Sequence, residues 1–177
     1  MITRCFIGAL HHAAAGSDHP ANAANAAGGA YVARYLHDGG PPDKVLPALA
    51  AIWATTFGRD TAATTTALLA HDWLALAADA TETGQQPAAR SVFVPGIGHA
   101  LSDDGPGLGA TGRIEADHPG NIAFAYLLRG GDEPPPHARV DAPAAVYVEV
   151  YRAAGTAWIH AETVALAEVT GHMPPCD

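Results

Sequence analysis

The sequence predicts a mostly α-helical fold with little or no sheet, and three observations carry that expectation. Alanine is abundant in a chain that is 49% hydrophobic but only 7% aromatic, a balance that favours close-packed helices over pleated strands. Long segments open on a capping aspartate and close on glycine or proline. The stretch from Asp141 to Thr170 is apolar nearly all round, as a buried helix is. With 177 residues the chain is long enough for one domain, 1–177, with a sizeable core.

Taken in order, Ala21–His37 reads as a helix weakened by Gly28-Gly29 and ended by Asp38-Gly39-Gly40-Pro41-Pro42. Asp43 caps a second segment running to about Thr56, with Pro47 near its first turn. Asp60 caps a third, to about Asp79, apolar at Leu68, Leu69, Trp73, Leu74 and Leu76. Thr83–Ala89 is a turn-rich break. Ser91–Val94 is β-branched and aromatic, a short strand or buried extended chain. Ser102–Gly112 is glycine-rich loop. Pro119–Arg129 is a short helix stopped by Gly130-Gly131 and Pro134-Pro135-Pro136. Asp141 caps the last helix, with Pro143 in its first turn.

A net charge of −9 with nine Lys plus Arg argues against non-specific binding to nucleic acid or anionic membranes. Two cysteines, Cys5 and Cys176, make no disulfide framework and point to a reducing, cytoplasmic setting. No window approaches the roughly 20 apolar residues of a membrane span. Ten histidines invite a metal test, but their positions give none of the usual ligand spacings, so no metal is expected. Gly-x-Ser-x-Gly is absent, and Gly105-Pro106-Gly107-Leu108-Gly109 lacks the Lys-Ser/Thr of a phosphate loop.

Acid–base chemistry by histidine and carboxylate remains. Val94-Pro95-Gly96-Ile97-Gly98-His99 presents a histidine from a glycine-pinned turn. Asp117 precedes the short helix, where free amides stabilise a carboxylate. Arg152 is a lone cation in the apolar last helix and needs an anion, either a bound carboxylate or an internal acid such as Glu149 or Glu115. His160, eight residues on, falls on the same helical face.

The order of these motifs resembles the C-terminal part of the citrate synthase superfamily, including citryl-CoA lyase. Pro95-Gly96-Ile97-Gly98-His99-Ala100-Leu101 is similar to that family's Pro-Gly-Phe/Ile-Gly-His turn, whose histidine polarises a substrate oxygen. Asp117, with Asn121–Arg129 behind it, resembles the segment that supplies the base for an acyl-CoA methyl group. Tyr151-Arg152-Ala153-Ala154-Gly155-Thr156-Ala157-Trp158-Ile159-His160 is similar to the helix whose arginine binds a substrate carboxylate. Ser17-Asp18-His19-Pro20 resembles the family's Ala-Asp-His-Gly. The resemblance spans about residues 15 to 170 and implies a shortened citrate-synthase-like helical fold. His99 and Asp117 would then be catalytic, and His19, Arg152 and His160 would hold a carboxylate.

Two motifs depart from the family. Its second histidine should fall near Phe57–Ala62, where Arg59 stands and becomes a substrate-binding candidate; Gly8–Ala14 resembles that motif by letter but lies too far upstream. The Asp-Pro-Arg that helps hold coenzyme A is replaced by Asp103-Asp104-Gly105-Pro106, leaving Arg113 as the nearest arginine for a coenzyme A thioester co-substrate. The expected function is a lyase or synthase acting on a carbon–carbon bond next to a carboxylate. Two rivals stand beside it: a catalytically impaired subunit or carboxylate-binding partner of a longer citrate-synthase-like chain, and a histidine-rich helical metal-binding protein. The expected assembly is a homodimer or a hetero-oligomer with a related chain.

Overall fold

The computed structural model describes residues 3–11, 29–77, 91–102, 108–114, 116–129 and 146–170. Among these residues the dominant element is a nine-stranded mixed sheet, which corrects the expectation of a mostly α-helical fold and with it that of a shortened citrate-synthase-like helical fold. The strands are β1 (Cys5–His11), β2 (Ala30–Leu36), β3 (Trp73–Leu76), β4 (Ser91–Val94), β5 (Gly98–Leu101), β6 (Ala110–Arg113), β7 (Phe124–Arg129), β8 (Tyr147–Ala154) and β9 (Ala157–Ala165). Their order across the sheet is β4-β5-β3-β2-β1-β7-β8-β9, with β6 paired to β2. Pairs β1–β7 and β2–β3 are parallel and the others antiparallel. β6 lies along Ala30–Ala33 of β2, and β3 joins the same edge at Leu36.

Three helices accompany the sheet: α1 (Pro42–Ala51), continued by a π-helical turn over Ile52–Thr56, α2 (Thr61–Leu68) and the short α3 (Leu166–Thr170). They all pack on one face. Val45, Leu46 and Leu49 of α1, Ile52 and Trp53 of the π turn, Leu68 of α2 and Leu166 of α3 bury against Cys5, Ile7, Leu36, Tyr126, Leu128, Val148 and Val150 of the strands. The opposite face has a smaller apolar cluster of Leu10, Tyr31, Ala33, Ile114, Ala125 and Leu127, with Phe6, Tyr151 and Trp158 at its margin. Because side chains alternate along a strand, each strand of the centre feeds both clusters.

Each helix expectation meets a specific outcome. The second segment is helical to Thr56, but Pro41 is its N-cap residue and Pro47 lies inside it, not in its first turn. Asp60 caps α2 by accepting from the Ala63 amide at 2.9 Å, as expected, but the helix stops at Leu68 and Trp73–Leu76 is strand. Of Ala21–His37, residues 21–28 lie outside the described residues and Ala30–Leu36 is β2. Pro119–Arg129 is a turn followed by β7, and Ser102–Gly112, described only in part, ends in β6. Of the supposed last helix, Asp141 and Pro143 lie outside the described residues, Tyr147–Ala165 is the hairpin β8–β9, turned at Gly155 (φ +63°), and only Leu166–Thr170 is helix. The break at Thr83–Ala89 lies outside the described residues, while Ser91–Val94 is a strand. Among the described residues no helix is long and apolar enough to cross a membrane.

Candidate functional site

On the open face, Arg4 just before β1, Phe6 of β1 and Tyr31 and Tyr35 of β2 line a cleft of about 820 Å³, together with residues 108–111 and the 117–122 loop. The local sequence explains its construction. Tyr31 pairs across the β2–β6 ladder with Gly112, which leaves the neighbouring place on that face without a side chain. The Asp117 carboxylate fills it: a Cβ at position 112 would overlap Asp117 Oδ2. The chain reaches this position by a tight turn in which the Ala116 and Asp117 amides both donate to the Arg113 carbonyl, at 2.9 and 3.0 Å. The Ala123 amide then donates to the Arg4 carbonyl at 2.8 Å and ties the loop to the start of β1.

Tyr31 is buried and its hydroxyl is hydrogen-bonded to the Asp117 carboxylate. Burial and then this carboxylate push the phenol up to about 12, so Tyr31 is a fixed proton donor and Asp117 its acceptor. The second wall depends on Asp72, whose Oδ1 accepts from the Tyr35 amide at 3.0 Å and whose Oδ2 accepts from the Leu108 amide. This caps β2 where its edge passes from β6 to β3. The Tyr35 hydroxyl lies 3.2 Å from His37 Nδ1. Burial raises the Tyr35 phenol, and the Arg4 guanidinium partly offsets the rise. His118 Nδ1 donates to the Thr156 carbonyl.

Of the sequence-predicted site residues that are described, only Asp117 lines this cleft. His99 lies on β5, buried, its ring 5.1 Å from that of Phe93 and its backbone paired with Phe93 and Ala75. The glycines before it serve packing: Gly96 and Gly98 have φ of +77° and +149°, and a Cβ at Gly96 would overlap the Thr56 side chain and one at Gly98 the Ala75 carbonyl. Arg152 is exposed on β8, paired in register with Phe124 and Ile159 on the face opposite Glu149 and Tyr151. Arg59 sits 5.8 Å from the centre of the Trp53 ring, in the left-handed conformation (φ +72°). Arg113 supplies the carbonyl of the Asp117 turn. His19 lies outside the described residues.

No family model matches this chain, and no curated protein or solved structure does.

His160 does bind a carboxylate, but it is that of Glu149. Nε2 lies 2.7 Å from Glu149 Oε2, Thr163 Oγ1 donates to the same oxygen at 2.7 Å, and Arg129 reaches Oε1 at 3.5 Å. This cluster compensates a buried charge on β8, and none of its members lines the cleft. Among the described residues no group of three His, Cys, Asp or Glu side chains is arranged to hold a metal. Sequence reasoning missed Arg4, Tyr31 and Tyr35. The usable signal was the alternation of Tyr31, Ala33 and Tyr35, which marks one face of a strand.

Proposed function

We propose that this protein binds a small organic ligand in the open-face cleft, with Asp117 holding the ligand's cationic or hydrogen-bond-donating end. One observation carries the reading. A carboxylate is held over Gly112 beside a buried tyrosine, lines a cleft, and has no ion-pair partner among the described residues. A charge so placed is stabilised by a ligand that brings a donor to it. The cleft volume suits a ligand of several hundred ångström cubed or less. Phe6, Tyr31 and Tyr35 offer apolar and aromatic contact area.

Carbon–carbon bond chemistry of the kind implied by the citrate synthase resemblance would need His99, Asp117 and Arg152 to converge on one ligand. They are distributed over β5, the 116–122 turn and the far face of β8, so the geometry supports binding rather than that reaction, and coenzyme A has no part in the reading. A reducing, cytoplasmic setting belongs to the same proposal and rests on the cysteine count.

A fragment screen followed by amide chemical shifts tests the reading. Hits should perturb residues 31, 35 and 117–122 together. Asp117→Asn should weaken basic hits about tenfold, the scale of one charge-assisted hydrogen bond, while Lys44→Gln, on the helical side, should leave them unchanged. Hits that map away from the cleft, or that bind Asp117→Asn equally well, would overturn it.

A further inference from the structure

The cleft carries charges of both signs that do not meet. Arg4 and Asp117 both line it, yet no ion pair joins them, and neither makes an ion pair with any other described residue. Phe6, Tyr31 and Tyr35 share the same lining. Polar groups accompany both charges: His118 brings an imidazole and Asn121 an amide.

From this we infer that the ligand is a zwitterion, with an ammonium or similar cation at Asp117, a carboxylate or similar anion at Arg4, and an apolar or aromatic middle. The inference rests on the cleft-binding reading and specifies its ligand class. An anion alone would bring its charge into a site that also holds the Asp117 carboxylate. A cation alone would meet the Arg4 guanidinium, which is always charged. A ligand with both ends answers both charges, and bidentate carboxylate recognition is the chemistry a guanidinium does best. The volume of about 820 Å³ leaves room for a spacer between the two ends.

The test uses matched sets of probes, titrated calorimetrically into the full chain. One set is L-phenylalanine, phenethylamine and 3-phenylpropionate; a second is 5-aminovalerate, pentylamine and valerate. In at least one set the zwitterion should bind about tenfold or more tightly than both its amine and its acid. Arg4→Gln should abolish the zwitterion's advantage over its amine, weakening the zwitterion while the amine, freed of the guanidinium's charge, binds at least as tightly as before. Asp117→Asn should bring the zwitterion down to the affinity of the acid. Equal affinity of zwitterion and amine, or an Arg4→Gln protein with unaltered preference, would overturn the zwitterion while leaving cleft binding intact. Failure of both sets, with fragments still seated in the cleft, would overturn it too. An absence of any fragment in the cleft would instead sink the underlying reading.

Discussion

Tyr126 and Tyr31 are buried tyrosines on opposite faces of one sheet, and their partners differ in kind. Tyr126, on the helix-covered face, donates to the main-chain carbonyl of Gly40 at 2.9 Å, a carbonyl that the Cys5 thiol also reaches at 3.4 Å. Tyr31, on the open face, is bonded to the side-chain carboxylate of Asp117, which is only half-buried and borders a cleft. Burial raises both phenols. A carbonyl in a loop gives Tyr126 a fixed anchor, which fastens the Gly39–Pro41 connection to the sheet. A carboxylate gives Tyr31 a partner that still has acceptor capacity for a third group. The same side chain closes a structure on one face and prepares a site on the other.

The largest expected effect tests what the two faces share, which is buried neutral acids. Cys5, on the covered face, is pushed from 9.0 to about 11 by burial, and Tyr31, on the open face, from 10.0 to about 12. Folded-state values above the unfolded ones mean that the folded chain keeps protons the unfolded chain releases. The stabilisation is therefore complete below pH 9 and is lost as pH rises through about 11 for Cys5 and about 12 for Tyr31. Each group contributes on the order of 2–3 kcal/mol to that loss. Denaturant midpoints measured against pH should be level near neutrality and fall steeply above pH 9. Cys5→Ala should delay the onset of the fall, and Tyr31→Phe should shallow its upper part. A fall of unchanged shape in both variants would show that neither group carries it.

A smaller effect should separate the two phenols. Tyr126→Phe leaves the Gly40 carbonyl with only the long thiol contact in a buried setting, and should cost about 1–2 kcal/mol by chemical denaturation. Tyr31→Phe leaves a carboxylate that solvent in the cleft can reach, and should cost less than about 1 kcal/mol while weakening ligands at Asp117. Equal stability losses would mean that the open-face pair is as structural as the covered one.

The difference between the faces was only partly legible in the sequence. The helical layer was readable in part because its signals are local: Asp60 before α2 reads as a cap and is one, whereas Asp43 and Pro47 mark a start of α1 in the sequence although Pro41 and Pro42 open it. The strands were not. β7 is buried on both sides through Ala125–Leu128, and an apolar run of that kind has no period to distinguish strand from helix. The β8–β9 hairpin did carry a signal, Val146, Val148 and Val150 at alternate positions followed by Ala154-Gly155-Thr156, but alanine abundance outweighed it. The site depends on pairings that no local pattern reports. Asp117 was visible as a carboxylate at the start of an element, but its place beside Tyr31 follows from Gly112 lying opposite Tyr31, 81 positions apart in the chain. His99 was prominent because of its glycines, and those glycines serve packing: Gly98 the approach of β5 to β3, Gly96 the close contact with Thr56.

The smallest effect is the one that isolates the Tyr31–Asp117 contact. Burial is the larger cause of the raised Tyr31 phenol, and the Asp117 hydrogen bond and charge are the lesser ones. Asp117→Asn removes the charge and keeps the shape, so the midpoint should drop from about 12 but stay above the ordinary value of 10.0. Tyrosinate absorbance can report it immediately after a jump to alkaline pH, before unfolding, with Tyr31→Phe subtracted to remove the other four of the five tyrosines. Gly112→Ala should produce the same partial drop by a different route, because its Cβ would displace the carboxylate rather than neutralise it. A midpoint unmoved in both variants would mean that Asp117 does not stand beside Tyr31 in solution. A fall all the way to 10 would mean that burial of Tyr31 contributes nothing to its raised value in solution, and that Asp117 alone carries it.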